Sequence, residues 1–69
     1  MKLFVEDLKG YMDCYTNVYR IKIKKINNKN TLIIYYNSLK QDDLIELKEV
    51  RLAFLIDENS LQEYFRYEK

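Results

Sequence analysis

The sequence predicts an α+β fold in which a single N-terminal helix packs on a four-stranded, mainly antiparallel sheet. Two observations support this prediction. The apolar residues of the first segment recur at helical spacing, and two later regions alternate apolar and polar residues on either side of a polar turn. The expected order is helix, strand, strand, short turn, strand, strand, in one domain spanning 1–69. A domain this small buries only about 60% of its unfolded surface, so self-association is expected to supplement its core.

The first predicted element is a helix over residues 3–13. Phe4, Leu8 and Tyr11 recur at i, i+4 and i+7, which places them on one apolar stripe. Gly10, the only glycine of the chain, weakens this prediction because glycine costs about 1 kcal/mol inside a helix. It marks either an early end of the helix or the close passage of a strand.

The next predicted unit is a β-hairpin made of residues 18–26 and 31–37. The asparagine-rich turn between them suits the left-handed backbone, since asparagine tolerates positive φ better than most residues. The second strand is β-branched and aromatic throughout, which is typical of a central strand. On the first strand the expected core residues are Tyr19, Ile21 and Ile23, with Arg20, Lys22 and Lys24 facing water; on the second they are either Leu32, Ile34 and Tyr36 or Ile33 and Tyr35.

Residues 42–47 are expected to form a single helical turn that connects the two hairpins. Asp42 would cap this turn through its carboxylate. The alternative is one continuous helix over residues 42–56, but that helix would carry Lys48 and Arg51 on its apolar face. The short turn is therefore preferred.

The last predicted unit is a second hairpin, made of residues 50–56 and 61–67. Asn59 is the residue of its turn most able to adopt positive φ. Ser60 and Glu63 also match a capping box, which leaves a C-terminal helix as the alternative. The aromatic and β-branched bias of the region favours the hairpin. The residues expected to face the core are Val50, Leu52, Phe54 and Ile56.

The residue inventory excludes most catalytic chemistry. The chain has no histidine, one cysteine and no glycine-rich phosphate loop, which excludes the common triads, zinc sites and nucleotide cradles. Its acidic pairs are adjacent in sequence, so their side chains point in different directions. We therefore expect no catalytic residue, no metal site and no cofactor, and predict that the protein is not an enzyme.

The expected location is the cytoplasm, with no membrane partner. The chain has no apolar run of about 18 residues, the length that a membrane span requires. Its N-terminus lacks the apolar region and cleavage site of a secretion signal. The single thiol of Cys14 fits a reducing compartment.

Protein recognition is the favoured function. The chain has seven tyrosines, more than so small a core is expected to bury, and tyrosine provides a large contact area with a polar tip. The expected partners are a second copy, as a homodimer or higher oligomer, and a host protein. The charge is also uneven: residues 1–40 carry eight bases against three acids, and residues 41–69 four against eight. The predicted interface residues are Tyr35, Leu55, Tyr64 and Tyr67.

Two other functions remain open. The first is binding of single-stranded nucleic acid, because basic residues share one strand face and tyrosines follow on the next strand. The second is a structural or regulatory subunit without activity alone. The predicted nucleic-acid contacts are Arg20, Lys22, Lys24, Lys25 and Lys29.

Three stretches of the chain also carry a family resemblance: VEDLKGYMDCYTNVYRIKI, KKINNKN and LKEVRLAFLIDENSLQEYFRYE. Together they resemble the short accessory proteins of phages and mobile elements of AT-rich Gram-positive bacteria. Some proteins of that class inhibit host defence, including the anti-CRISPR proteins, and they generally act by binding. The resemblance implies a protein that binds and inhibits a host protein in the host cytoplasm. Many inhibitors that mimic nucleic acid are strongly acidic, whereas this chain has a net charge of +1.

Overall fold

Two antiparallel sheets face each other across a shared apolar core in the structure, a computed structural model that describes residues 1–67. The strand order is β2-β1-β6-β7 in the four-stranded sheet and β3-β4-β5 in the three-stranded sheet. The expected α+β fold is wrong, because the described residues contain no α-helix. The strands are β1 Lys2–Asp7, β2 Met12–Tyr15, β3 Val18–Ile26, β4 Lys29–Tyr36, β5 Asp43–Glu46, β6 Val50–Asp57 and β7 Ser60–Arg66, and one turn of 3-10 helix spans Leu47–Glu49.

The core lies between the sheets and takes residues from both. Burying one valine, leucine or isoleucine completely contributes about 1.5–3 kcal/mol, so these contacts are the main source of stability. Both sheets meet in a single apolar cluster, which explains why neither needs a helix to cover its inner face. The cluster contains Leu3, Val5, Val18, Ile21, Leu32, Ile34, Tyr36, Leu47, Val50, Ala53 and Leu55.

The predicted helix over residues 3–13 is wrong, since this segment forms the hairpin β1–β2. Leu3 and Val5 alternate into the core, which is a strand period that the helical stripe obscured. Two members of that stripe, Leu8 and Tyr11, are 50% and 71% exposed in the connection. Gly10 has a φ of 94°, a conformation that glycine adopts without strain and that ends any helix.

The carboxylate of Asp7 holds the β1–β2 turn together. One of its oxygens accepts hydrogen bonds from the backbone N–H groups of Lys9 and Tyr11, at 2.9 and 3.0 Å. Such bonds from an aspartate to nearby backbone groups favour a turn over a helix. Asp7 lies inside the predicted helix of residues 3–13, and instead it ends a strand.

The first predicted hairpin is confirmed as β3–β4. Its tight turn places Asn27 and Asn28 at φ values of 51° and 64°, the left-handed conformation that the asparagines favour. The register shifts by one residue between Val18 and Arg20, which leaves Tyr19 unpaired. Tyr19 is therefore 59% exposed instead of buried. Of the two options for the second strand, the core takes Leu32, Ile34 and Tyr36.

The predicted helical turn over residues 42–47 is wrong, and the alternative helix over residues 42–56 is also absent. Strand β5 occupies Asp43–Glu46 and pairs with β4, so β4 has a neighbour on both edges. This pairing satisfies the backbone groups of β4, which an isolated helical turn would leave unpaired. The 3-10 turn follows directly, and its first residue, Leu47, is buried in the core.

The second predicted hairpin is confirmed as β6–β7, and the C-terminal helix is not formed over the described residues. The expected positive φ at Asn59 is wrong, because in residues 1–67 it occurs at Gly10, Asn17, Asn27 and Asn28. The expected core face of β6 is also wrong beyond Val50. Ala53 and Leu55 point into the core. In the pairing with β1, Glu6 and Asp7 lie opposite Leu52 and Val50, so Arg51 is an extra residue of β6 that moves the side chains after it to the other face.

Candidate binding surfaces

The four-stranded sheet presents an apolar outer face. In its register Phe4 pairs with Phe54, and Ile56 pairs with Leu61, all pointing away from the core. The rings of Phe4 and Phe54 are stacked, with centroids 5.3 Å apart and planes 13° apart. We call this surface the apolar face; it comprises Phe4, Met12, Cys14, Leu52, Phe54, Ile56 and Leu61.

Charged residues of both signs surround the apolar face. Lys2 and Glu6 lie on β1 on either side of Phe4, and Glu63 and Arg66 lie on β7. A guanidinium nitrogen of Arg66 lies 2.7 Å from a carboxylate oxygen of Glu63. These four charges sum to zero, and an oxygen of Glu6 also lies 3.8 Å from the Nε of Arg51, so the rim carries both signs, which is compatible with a second surface of the same composition.

The three-stranded sheet presents a basic outer face. Arg20 pairs with Tyr35, Lys22 with Ile33 and Lys24 with Thr31, and these six side chains share one side of the sheet. On β5, Leu44 pairs with Ile33 and Glu46 with Thr31. We call this surface the basic face; it comprises Arg20, Lys22, Lys24, Lys29, Thr31, Ile33, Tyr35, Leu44 and Glu46.

The charges of the basic face are only partly compensated. Glu46 forms salt bridges with Lys29 at 3.3 Å and with Lys48 at 3.2 Å. Hydrogen bonds from Lys48 and Lys29 lower the pKa of the Glu46 carboxyl, so it is ionised and fully engaged at neutral pH. Within the part of the chain that the structure describes, Arg20 and Lys22 form no salt bridge.

An aromatic ring and an apolar strip accompany the cations. The guanidinium carbon of Arg20 lies 4.8 Å from the centroid of the Tyr35 ring, which is a cation–π distance. Ile33 is only 4% exposed although it lies on the outer side, while Leu44 beside it is 60% exposed. A cleft of about 220 Å³ lies near the hairpin end of this face, lined in part by Ile26, Thr31 and Leu44.

The four predicted interface residues do not form one surface. Leu55 is 6% exposed and belongs to the core, so it is not available to a partner. Tyr35 lies on the basic face, whereas Tyr64 packs half-buried against the core on the other sheet. Tyr67 follows β7, and its N–H donates to the carbonyl of Arg51 at 2.7 Å. Sequence reasoning missed Phe4 and Phe54, which it placed on the core side of their elements.

The structure brings together four of the five predicted nucleic-acid contacts. Arg20, Lys22, Lys24 and Lys29 share the basic face, but Lys25 points to the opposite side because it follows Lys24 on the same strand. The alternation of residues along β3 in the sequence already assigns Lys25 to the side opposite Arg20, Lys22 and Lys24.

Tyr36, Lys40 and Asp43 form a third polar group, where β4 ends and β5 begins, whose members contact one another. The Tyr36 hydroxyl donates a hydrogen bond to the Asp43 carboxylate. The ammonium group of Lys40 lies 4.2 Å from the centre of the Tyr36 ring and 3.7 Å from an oxygen of Asp43. Burial raises the pKa of Tyr36, as does the hydrogen bond to Asp43, so this hydroxyl stays protonated near neutral pH.

No group of three histidine, cysteine, aspartate or glutamate side chains that could hold a metal ion is present in residues 1–67. A helix long and apolar enough to cross a membrane is also absent from this part of the chain. No protein-family model, curated protein or solved structure matches the chain.

Proposed function

We propose that this chain is a non-catalytic binding protein that self-associates through its apolar face. The observation that supports the proposal is the half-buried stacked pair Phe4 and Phe54, which shares the outer side of the four-stranded sheet with the exposed side chains of Ile56 and Leu61. Soluble proteins rarely expose contiguous apolar surface of this kind unless it contacts a partner. The partner to which we commit is a second copy of the chain.

The size of the face is compatible with a transient dimer. Four strands spaced about 4.8 Å apart and five residues long at about 3.4 Å per residue present roughly 19 by 17 Å. Counted on both copies this is roughly 650 Å², below the about 1,200–2,000 Å² of stable specific interfaces, so we expect a weak dimer that forms only at high protein concentration.

The rim charges are compatible with two-fold symmetry. Lys2 and Glu6 lie two residues before and two residues after Phe4 on the same strand. A two-fold axis that crosses the strands at Phe4 therefore sets Lys2 of one copy opposite Glu6 of the other, and the reverse pair forms by symmetry. Two opposite-charge pairs result from one interface.

A matched pair of leucine variants tests the proposal. Leu61 on the apolar face and Leu44 on the basic face are 64% and 60% exposed, so neither Leu61→Glu nor Leu44→Glu should unfold the protein. We expect Leu61→Glu to weaken the dimer at least tenfold and Leu44→Glu to leave it unchanged. Sedimentation equilibrium over about a hundredfold range of concentration measures both. A wild-type protein that stays monomeric throughout, or equal effects of the two variants, would refute the proposal.

The resemblance to accessory proteins of phages and mobile elements supports a host protein as the eventual target, which the dimer would bind and inhibit in the host cytoplasm. The exposed free thiol of Cys14 is compatible with that reducing compartment. Co-purification of one defined host protein with the wild type, but not with Leu61→Glu, would support this part of the proposal.

A further inference from the structure

The basic face combines three features that single-stranded nucleic acids require of a binding surface. The first is a row of cations: Arg20, Lys22 and Lys24 alternate along β3, so their side chains emerge on one side about 6.8 Å apart. A regular row of positive charges follows a phosphate backbone, whereas scattered surface charges do not.

The second feature is that these charges are free to act on a ligand. Glu46 is the only acid that β3, β4 and β5 place on this face, because Asp43 of β5 pairs with Ile34 and points to the other side. Both carboxylate oxygens of Glu46 are engaged, one by Lys29 and the other by Lys48. Over residues 1–67, no salt bridge involves Lys22 or Lys24. A polyanion can therefore reach these cations without displacing a carboxylate.

The third feature is a surface for bases beside the cations. The Tyr35 ring, with the Arg20 guanidinium over it, lies at one end of the face. Leu44 of β5, which is 60% exposed, adds an apolar side chain that a base can reach, whereas Ile33 beside it is buried. A need to keep other strands away from the β3 edge would account for the lysines alone. It gives no reason for an aromatic ring and an exposed leucine on the same face.

We propose that the basic face binds single-stranded nucleic acid, with phosphates along Arg20, Lys22 and Lys24 and bases over Tyr35 and Leu44. The aromatic ring beside the row of cations favours a single strand, because unpaired bases are free to stack on it, whereas the bases of a duplex are stacked on one another. This site lies on the sheet opposite the apolar face and does not depend on the proposed self-association.

The salt dependence of binding tests the phosphate contacts. Fluorescence anisotropy with labelled deoxyuridine and uridine oligomers of about twelve nucleotides measures affinity, and the ratio of the two identifies the preferred sugar, because the base is the same in both. Three contacts predict a slope of log K against log salt near −2, which is about a 20-fold loss of affinity between roughly 50 and 200 mM salt. A slope near zero, or no binding of either oligomer at the lower salt, would overturn the proposal.

Two neighbouring lysines provide a matched control. Lys24→Glu and Lys25→Glu change the net charge equally, but only Lys24 belongs to the basic face. We expect Lys24→Glu to weaken binding at least tenfold and to reduce the salt slope, and Lys25→Glu to have an effect of less than about threefold. Equal losses would show a response to net charge alone and would contradict the proposed site.

Stacking is tested by two tyrosine variants. Tyr35→Leu should weaken binding about tenfold, because stacking on an aromatic ring contributes about 1–3 kcal/mol per base. Tyr19→Leu removes an exposed ring at the register shift of the same strand pair and should have little effect. An abasic oligomer or polyglutamate that binds as tightly as the oligonucleotides, or duplex DNA that does so, would refute recognition of single-stranded bases.

Discussion

Replacing Leu55 or Phe54 with alanine should have different consequences, although the two residues are neighbours on β6. Leu55 is 6% exposed in the core, and Phe54 is half-buried on the apolar face, stacked on Phe4. The sequence pattern predicted the reverse orientation. The pair of variants therefore tests the register of β6, on which the apolar face depends.

The magnitudes follow from burial. Leu55→Ala removes a buried leucine and should reduce the free energy of unfolding by about 3–4 kcal/mol. A chain of this length is stable by roughly 3–10 kcal/mol, so this variant should be marginally folded. Phe54→Ala loses one ring contact and partial burial, which together contribute about 1–2 kcal/mol in the monomer.

Urea denaturation followed by circular dichroism measures both changes, at a protein concentration where the dimer is dissociated. With a slope near 1 kcal/mol per molar, we expect the midpoint to fall by about 3–4 M for Leu55→Ala and by about 1–2 M for Phe54→Ala. At concentrations where the wild type is a dimer, Phe54→Ala should be folded but monomeric, whereas Leu55→Ala should be only marginally folded. If Phe54→Ala is the more destabilising variant in the monomer, β6 has the register with Phe54 inward and the proposed apolar face does not exist.

Two further predictions concern the turns and edges of the sheets. Tyr36→Phe removes the hydroxyl bonded to Asp43 and should destabilise the protein by about 1 kcal/mol, or about 4–8 °C in thermal unfolding. Because the folded state raises the pKa of Tyr36, this contribution is complete below about pH 10 and is lost as the pH rises above that value, so the loss of stability in alkali should be less steep in the variant. Gly10→Ala should cost at least about 1 kcal/mol in thermal unfolding, because φ is 94° there; an added Cβ meets no atom within 4 Å, so strain and not a clash is the cause. Gly10→Asn should cost less, and equal losses would argue against the backbone conformation as the reason.

The sequence by itself determined the two hairpins β3–β4 and β6–β7. Each joins neighbouring segments whose residues alternate, and the turn at Asn27 and Asn28 has the conformation that asparagine favours. The alternation of β3 also placed Arg20, Lys22 and Lys24 together on one side. These features depend on interactions between residues close in sequence, which a local pattern records.

Only the tertiary structure decided whether residues 3–13 form a helix or strands, and which side chains of the strands point into the core. The stripe of Phe4, Leu8 and Tyr11 fits a helix, and the alternation of Leu3 and Val5 fits a strand. The pairing of β1 with β6, from the other end of the chain, selects the strand because it closes the four-stranded sheet over the core. One-residue register shifts, in the β3–β4 and β1–β6 pairings, then turn side chains to the opposite face, which exposes Tyr19 and places Phe54 outward. Such shifts are set by packing between distant segments, so a local sequence pattern does not contain them.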